Sequence, residues 1–211
     1  MSVNAWFWDF IAGSYDSETA KFKGNLDLCV ERAKKHLCAS DTVLDFACGT
    51  GTATVGIAGG VRIVEGIDIS SKMIEAARRK AEERGIRNIV FRRAAIFDKR
   101  LAPESFDAVL AFNVLHLLAD PGSVIRRIHR LLTPDGWFLS MTPCLGEGGR
   151  TLPAVIDVPL LLLNRLGLFS ALRFYRSGQA EQMITAGGFG IRESELMTDG
   201  HAVYFAAAQK A

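Results

Sequence analysis

The sequence lacks several features that mark particular classes of protein. Its four cysteines show no Cys-x-x-Cys spacing, which argues against a disulfide framework and favours reduced thiols in a cytoplasmic protein. No cluster of His, Cys and Asp residues has the spacing of a metal site. No basic stretch precedes an apolar one near the N-terminus, so no secretory signal is expected. No charge-free apolar run reaches about 18 residues, so no membrane span is expected.

A strong net charge is also absent. The 211 residues carry a net charge of +2, with 49% hydrophobic and 23% charged residues, as expected of a single globular domain with a sizeable core. So small a charge does not by itself indicate a nucleic-acid partner, and none is expected. Residues 72–100 are locally basic, with ten Lys or Arg against four acids. This stretch is either the solvated face of a helix or a weak docking surface for an anionic partner.

The most informative feature that is present is a short apolar run ending in a loop with two glycines. Asp45 lies near the end of the run 43–46, and Gly49 and Gly51 follow. Glycine allows a positive φ and lets a ligand approach the main chain, while the helix expected over 52–59 would direct free N–H groups at the same place. A carboxylate there would repel a pyrophosphate and attract an ammonium or a sulfonium group.

Two nucleotide-binding patterns do not fit this loop. The dinucleotide motif requires a third glycine where this chain has Thr54, and no Gly-Lys-Ser/Thr of a phosphate-binding loop follows Gly51. A second acid, Asp68, ends another apolar run 17 residues after Gly51, near the spacing at which an acid meets the two hydroxyls of a ribose. Acids on both sides of the loop favour a positively charged nucleoside as the ligand. The alternative is that the glycines only form a tight turn.

Alternating strand-like and helix-like segments predict a doubly wound α/β fold, with a mostly parallel sheet covered on both faces. The expected strands are 42–47, 62–68, 88–94, 106–112 and 136–142, and the expected helices are 4–38, 52–59, 71–84 and 121–132. The segments 189–197 and 200–209, joined by Asp199-Gly200, predict an antiparallel hairpin. Ligands of such sheets bind at the carboxyl ends of the strands, where the glycine loop and Asp68 fall.

Four motifs carry a resemblance to a known family. They are Asp45-Phe46-Ala47-Cys48-Gly49-Thr50-Gly51, Phe106-Asp107 with Asn113-Val114-Leu115-His116, Leu131-Leu132-Thr133-Pro134-Asp135-Gly136-Trp137, and Phe10-Ile11-Ala12 followed by Tyr15-Asp16. The chain resembles the class I S-adenosylmethionine-dependent methyltransferases, of the small-molecule kind that includes the quinone-pathway methyltransferases. The first motif has Ala47 where that family commonly has glycine.

The resemblance implies a seven-stranded Rossmann-like sheet whose last strand inserts antiparallel, with S-adenosylmethionine as cofactor and S-adenosylhomocysteine as product. The positions it implies for cofactor binding are Tyr15, Asp45, Ala47, Cys48, Gly49, Thr50, Gly51, Asp68, Ile69, Met73, Ala95, Ile96, Asn113 and Val114. In the family an acid often meets the adenine amino group where this chain has Ala95. Backbone groups of Ala95 and Ile96, or the side chain of Asp98, are the candidates to replace it.

Two residues are candidates for catalysis. By its position after the fourth strand, His116 could deprotonate or orient a hydroxyl or enol nucleophile, and the alternative is a structural role at the start of a helix. Tyr15 is expected either to close over the cofactor or substrate, or only to pack at the entry helix.

One methyltransferase domain is implied over residues 1–211. Its expected parts are an N-terminal helical cap (1–38), a cofactor-binding core (42–143), a substrate lid (144–176) and a C-terminal helix and hairpin (177–211). The strongly apolar segment 146–176 is expected to form one or two helices. It is either a lid over a hydrophobic substrate, or a core-packing element or homodimer face.

The favoured function is methyl transfer from S-adenosylmethionine to an O, N or C atom of a small hydrophobic acceptor. Such an in-line displacement requires the protein mainly to align the nucleophile and exclude water. One alternative is a nucleic-acid methyltransferase, although Asn113-Val114-Leu115-His116 differs from the Asn/Asp-Pro-Pro-Tyr/Phe motif of base amino-group methylases. The other is a non-catalytic regulator that binds S-adenosylmethionine.

Overall fold

A mixed, mostly parallel sheet forms the centre of the molecule. The computed structural model describes residues 5–20, 23–144, 147, 173, 175–198 and 202–211. The strands are β1 (Thr42–Phe46), β2 (Ile63–Asp68), β3 (Ile89–Arg93), β4 (Phe106–Phe112), β5 (Leu132–Pro143), β6 (Phe189–Met197) and β7 (Val203–Lys210). They form a seven-stranded sheet in the order β3-β2-β1-β4-β5-β7-β6. Strands β1 to β5 pair in parallel, and β7 lies antiparallel between β5 and β6. The predicted fold class and antiparallel last strand are confirmed.

The helices flank this sheet. In the described residues they are α1 (Ala5–Ile11), α2 (Tyr15–Thr19), α3 (Lys23–Lys34), α4 (Thr52–Ile57), α5 (Ser71–Glu83), α6 (Pro121–Leu131) and α7 (Ser177–Ala186). The helical stretch expected over 4–38 is therefore divided into α1, α2 and α3. A turn separates the first two, in which the Ser14 N–H donates to the Ile11 carbonyl at 3.0 Å. The Gly-Ser pair at this turn favours such a break over a continuous helix.

Strand β5 begins at Leu132 and not at the predicted position 136. Helix α6 ends at Leu131, and Leu132 already pairs with Phe106 of β4 before the register shifts. The Thr-Pro-Asp-Gly segment is thus an irregularity within the strand, with Asp135 at a φ of 60°. A Cβ on Gly136 would lie 2.9 Å from the Thr133 carbonyl oxygen, so only glycine fits this bend.

Both faces of the sheet are buried. Leu44 and Phe46 of β1 belong to one apolar cluster, which also contains residues of α6 and α7. Val43 belongs to the opposite cluster, with residues of α3 and α4. Since successive residues of a strand point to opposite faces, a strand buried on both sides consists almost entirely of apolar residues. Asp45 is the exception in β1, and it lies 2% exposed at the carboxyl end of that strand.

The two ends of the long insertion after β5 lie close to each other in the described residues. The Cys144 N–H donates to the Ala202 carbonyl at 2.7 Å, and the Ser177 hydroxyl donates to Glu147 Oε1 at 2.6 Å. The predicted helices over 146–176 and the predicted Asp199-Gly200 turn lie, apart from these flanking residues, outside the described residues.

The described part of the chain shows no sign of a membrane-spanning helix or of a metal centre. None of its helices combines the length and the apolar composition that a bilayer crossing requires. In the same residues, no three or more His, Cys, Asp or Glu side chains come together as they would around a metal ion.

Candidate cofactor and active site

The glycine loop between β1 and α4 turns sharply, with Gly49 at a φ of 54° and Gly51 at 76°. A Cβ on Gly51 would lie 2.9 Å from the Cβ of Ala77 and 3.0 Å from the ring of Phe91. Helix α5 and β3 therefore pack against the loop so closely that only glycine fits. A Cβ on Gly49, by contrast, would meet no heavy atom within 4 Å. The loop thus leaves open space beside its main chain, which a ligand that contacts this backbone requires.

Ala47 has an unusual backbone for a residue with a side chain. Its φ is 57°, in the left-handed region that glycine adopts freely and alanine at a cost of about 1 kcal/mol. The chain therefore keeps the bend that the loop requires although its usual glycine is replaced. This strain explains why the family motif commonly has glycine here.

Asp68 joins the second strand to the glycine loop. Its side chain is 8% exposed at the end of β2. Oδ2 accepts a hydrogen bond from the Gly49 N–H at 3.1 Å, and Oδ1 accepts one from the Ser70 N–H at 2.8 Å. Burial raises the pKa of this carboxyl, and the N–H donors of Ser70, Gly49 and Ile69 oppose the rise. The structure therefore brings the predicted loop and the predicted acid into direct contact.

Asp45 lies beneath the loop. It accepts a 2.5 Å hydrogen bond from the hydroxyl of Thr54, the residue that occupies the position of the third glycine in a dinucleotide motif. Burial raises the pKa of Asp45 to about 7; the bond from Thr54 opposes this rise and the charge of Asp68 adds to it. The Asp45 carboxyl thus helps to hold the loop in shape, because its hydrogen bond joins β1 to the start of α4.

The remaining loop residues also have defined surroundings. The Cys48 N–H donates to the Ile67 carbonyl at 3.0 Å, and its side chain packs against the apolar cluster beneath α5. Burial raises the pKa of the Cys48 thiol well above its usual value, so this thiol is a packing group and not a nucleophile. Thr50 is 3% exposed, and its hydroxyl donates to Asp16 of α2 at 2.5 Å.

The N-terminal segment lies over this loop. Lys80 Nζ lies 2.8 Å from Asp16 Oδ2, and it donates to the hydroxyls of Thr50 at 3.1 Å and Thr52 at 2.7 Å. Asp9 of α1 accepts hydrogen bonds from the Ser70 hydroxyl at 2.6 Å and from the Lys72 N–H at 3.0 Å. Two carboxylates thus fix α1 and α2 to the two loops that follow β1 and β2.

Sequence reasoning did not identify Asp9, Asp16 or Lys80 as site residues. The sequence predicts Asp16 only as part of the Tyr15-Asp16 motif, and Lys80 only as one of the basic residues of 72–100, either on a solvated helix face or on a weak docking surface. In the structure the Lys80 side chain is 16% exposed. The signal that could have suggested Asp16 is its position directly after Tyr15.

Tyr15 is half-buried, and its ring packs edge-on against Trp8 with a centroid distance of 6.4 Å. Burial raises the pKa of its hydroxyl to about 12, and the charges of Asp68 and Asp16 add to the rise. Its neighbour Asp16 accepts the hydrogen bond from Thr50, so Tyr15 directly precedes a residue that contacts the loop.

The residues expected around an adenine lie after β2 and β3. Ile69 is half-buried, and Met73, on the first turn of α5, is 1% exposed. Ala95 is exposed, whereas Ile96 is 3% exposed within the core. Asp98, the other candidate for the adenine contact, is paired with Arg100 through a 2.6 Å bond, which lowers its pKa to about 2.

The segment after β4 follows the carboxyl end of the strand that pairs in parallel with β1. Asn113 has a φ of 56°, and its N–H donates to the Met141 carbonyl at 2.8 Å. Val114 is 6% exposed, and His116 is 9% exposed within a short 3-10 helix. The His116 carbonyl accepts a 2.8 Å bond from the N–H of Arg173, at the far end of the insertion. This end of the proposed lid therefore contacts the histidine segment.

The chain is similar to known methyltransferases in sequence and in fold. A model of a methyltransferase domain matches residues 38–159, more than half of the chain. A ubiquinone biosynthesis O-methyltransferase of Thiobacillus denitrificans is 29% identical over 161 residues, 76% of this chain and 69% of that protein. Its counterpart in Paracidovorax citrulli is 35% identical over 103 residues, 47% of this chain and 42% of that protein. The matched part of the chain therefore spans from under half to about two thirds of these relatives.

A solved structure extends the likeness over nearly the whole chain. Geranyl diphosphate methyltransferase in complex with S-adenosylmethionine superposes with a TM-score of 0.71 at 17% identity, covering 94% of this chain and 91% of that one. At this identity the likeness establishes the fold.

Proposed function

Because the chain belongs to the methyltransferase domain family, we propose that it transfers a methyl group to a hydroxyl oxygen of a small, hydrophobic acceptor. It is an S-adenosylmethionine-dependent methyltransferase, and the bound cofactor supplies a methyl group activated by its sulfonium. The choice of oxygen is supported by the relatives, which are named as O-methyltransferases of ubiquinone biosynthesis. That the acceptor of this chain resembles theirs is part of the proposal.

One contact carries the proposal: the 3.1 Å hydrogen bond from the Gly49 N–H to Asp68. It holds an open glycine backbone next to a buried carboxylate at the carboxyl edge of the sheet. The pair formed by Gly49 and Asp68 fits a nucleoside with a free ribose and a positive charge. The Asp68 carboxylate can accept hydrogen bonds from the ribose hydroxyls, and it attracts a positive charge. A phosphorylated nucleotide would meet the carboxylate of Asp68 with like charge.

The roles of the surrounding residues follow from this placement. In the proposal Asp68 accepts hydrogen bonds from the ribose hydroxyls, and Ile69 and Met73 flank the adenine. The backbone of Ala95 and Ile96 is assigned to the adenine amino group, since Asp98 is engaged by Arg100. The methionine part is assigned to the loop and to the segment after β4, namely Tyr15, Asp45, Ala47, Cys48, Gly49, Thr50, Gly51, Asn113 and Val114.

On the acceptor side, His116 is the proposed general base. Its imidazole can take a proton from a hydroxyl near neutral pH, and its low exposure excludes water from the proton transfer. The segment 146–176 is the proposed lid, supported by the Arg173 contacts to the carbonyls of His116 and Ala119 at 2.8 and 2.7 Å. Homodimerisation through this segment stays a prediction that sedimentation can check.

The test combines calorimetry with a screen of acceptors. Wild type should bind S-adenosylhomocysteine, and Asp68→Ala should weaken binding by about 1–3 kcal/mol because hydroxyl groups lose a charged acceptor. Asp27→Ala, which removes an exposed carboxylate on α3, is the matched control and should bind like wild type. Unchanged affinity of Asp68→Ala would remove Asp68 from the site.

The screen offers phenols, quinols, amines and carboxylates with a labelled methyl donor. Labelling of apolar phenols or quinols is the expected outcome. Binding without labelling of any acceptor would favour a regulator, and salt-dependent binding of RNA would favour a nucleic-acid substrate.

A further inference from the structure

Lys80 makes more polar contacts than is usual for a lysine on a helix next to solvent. Its side chain is 16% exposed, and its ammonium lies within 3.1 Å of three oxygens, those of Asp16, Thr50 and Thr52. An ammonium has three N–H donors, so three oxygen partners can satisfy it fully. A lysine that only covered the surface of α5 would leave its head in water.

The partner Asp16 comes from a distant part of the chain. Its side chain is 52% exposed, so it could remain in water at little cost if nothing held it. Both of its oxygens are nevertheless engaged, Oδ1 by the Thr50 hydroxyl and Oδ2 by Lys80. Lys80 therefore connects α2 to the glycine loop from the side of α5.

A second anchor holds the other end of the same segment. Asp9 accepts from the Ser70 hydroxyl and the Lys72 N–H at the start of α5, and these hydrogen bonds lower its pKa. Residues 5–19 thus cross from the loop after β2 to the loop after β1. Tyr15 lies between the two anchors.

A bound cofactor would lie under this crossing segment, because both loops beneath it belong to the proposed site. Opening it would require the Asp16–Lys80 pair to separate and both groups to be solvated. The pair is partly exposed, so its contribution is that of a weak to moderate ion pair, which suits a contact that must open in each catalytic cycle.

We propose that Lys80 is a positioning residue for the cofactor: by binding Asp16 it holds Tyr15 and the 5–19 segment over the glycine loop and slows cofactor release. The inference rests on the proposed function, since it needs the S-adenosylmethionine site. Lys80 itself touches no reacting atom.

The experiment measures the dissociation rate of S-adenosylhomocysteine by stopped-flow displacement in wild type, Lys80→Met, Asp16→Asn and the double variant. Each single variant should release it about fivefold faster, and the double variant should be no faster than either, because the two share one interaction. Lys80→Arg keeps the charge and should restore slow release in part. Arg79→Met removes an exposed charge from the same helix, outside both anchors, and should behave as wild type.

Hydrogen exchange adds a second readout. In Lys80→Met the amides of 5–19 should exchange faster, while β1 and β2 keep their protection. Additive effects in the double variant, or release rates equal to wild type in both single variants, would overturn the inference. Failure of wild type to bind S-adenosylhomocysteine at all would overturn the proposed function together with it, so the two failures are distinguishable. Asp16→Asn alters a half-exposed side chain and keeps the test valid if Lys80→Met folds poorly.

Discussion

The two sides of the site are built in different ways. On the cofactor side, the loop after β1 and the acid after β2 are held by the main chain, through positive φ angles at Ala47, Gly49 and Gly51 and through N–H donors to Asp68. The proposed acceptor side depends on side chains and on segments far apart in sequence, such as Arg173 against the turn after β4. Backbone geometry tolerates few substitutions, whereas side-chain contacts can change with the substrate.

The largest expected effect lies on the acceptor side. His116→Ala should lower kcat at least about 100-fold, because general-base catalysis contributes this much or more, while the affinity for S-adenosylhomocysteine stays nearly unchanged. Steady-state kinetics with the acceptor found in the screen and calorimetry with the product measure the two quantities. Equal rates of wild type and variant would reduce His116 to a packing residue.

The two loop glycines, Gly51 and Gly49, are expected to lose different amounts of stability when each is replaced by alanine. Gly51→Ala should lower the free energy of unfolding by about 2–3 kcal/mol, because the added methyl would overlap α5 and β3 and because φ is positive.

Gly49→Ala is its control. It carries the φ penalty alone, about 1 kcal/mol, but its methyl would project into the open space beside the loop and should weaken cofactor binding. Urea unfolding and calorimetry separate the two effects. Similar losses of stability in the two variants would mean that α5 and β3 shift enough to accommodate the methyl group added in Gly51→Ala.

The stability of the protein should depend on pH through the carboxyl of Asp45. The folded-state pKa of Asp45 is raised from 3.8 to about 7, so the folded protein binds this proton more tightly than the unfolded chain. The resulting stability is present below about pH 4 and is lost as the pH rises towards about 7. Relative to Asp45→Asn, wild type should therefore lose on the order of 4 kcal/mol across this window, at about 1.4 kcal/mol per pKa unit.

Urea unfolding of both proteins at a series of pH values measures the difference. Asp41→Asn is the control, because Asp41 directly precedes β1 and its carboxylate accepts a hydrogen bond from the Cys38 N–H. Parallel pH curves for wild type and Asp45→Asn would show that Asp45 is charged in the folded protein.

The smallest expected effect is a gain. Ala47→Gly relieves the left-handed strain, although glycine also makes the unfolded chain more flexible, so the net stabilisation should be about 0.5 kcal/mol. Ala53→Gly, in the neighbouring helix α4, relieves no strain and should lose about 1 kcal/mol. Thermal unfolding of both variants compares the signs, and a loss in both would indicate that Ala47 is not strained.

Much of the cofactor side could be predicted from sequence, because it depends on neighbouring residues. The acids and glycines around β1 and β2 have fixed spacings, and the alternation of apolar runs with helical periods indicates the parallel sheet. Element ends were less predictable: α6 ends one residue early because Leu132 finds a partner in Phe106, which local sequence does not show. The break between α1 and α2, by contrast, falls at Gly13-Ser14, a local signal that favours a turn.

The amino-acid sequence alone determined the chemistry of the loop, the parallel sheet and the antiparallel last strand, since local propensity and short spacings specify them. The contacts of Lys80 with Asp16, of Asp45 with Thr54, and of Arg173 with the His116 carbonyl follow instead from tertiary packing. The reason is physical: positive φ angles and strand periods arise from adjacent residues, whereas contacts between distant side chains depend on how the helices pack on the sheet.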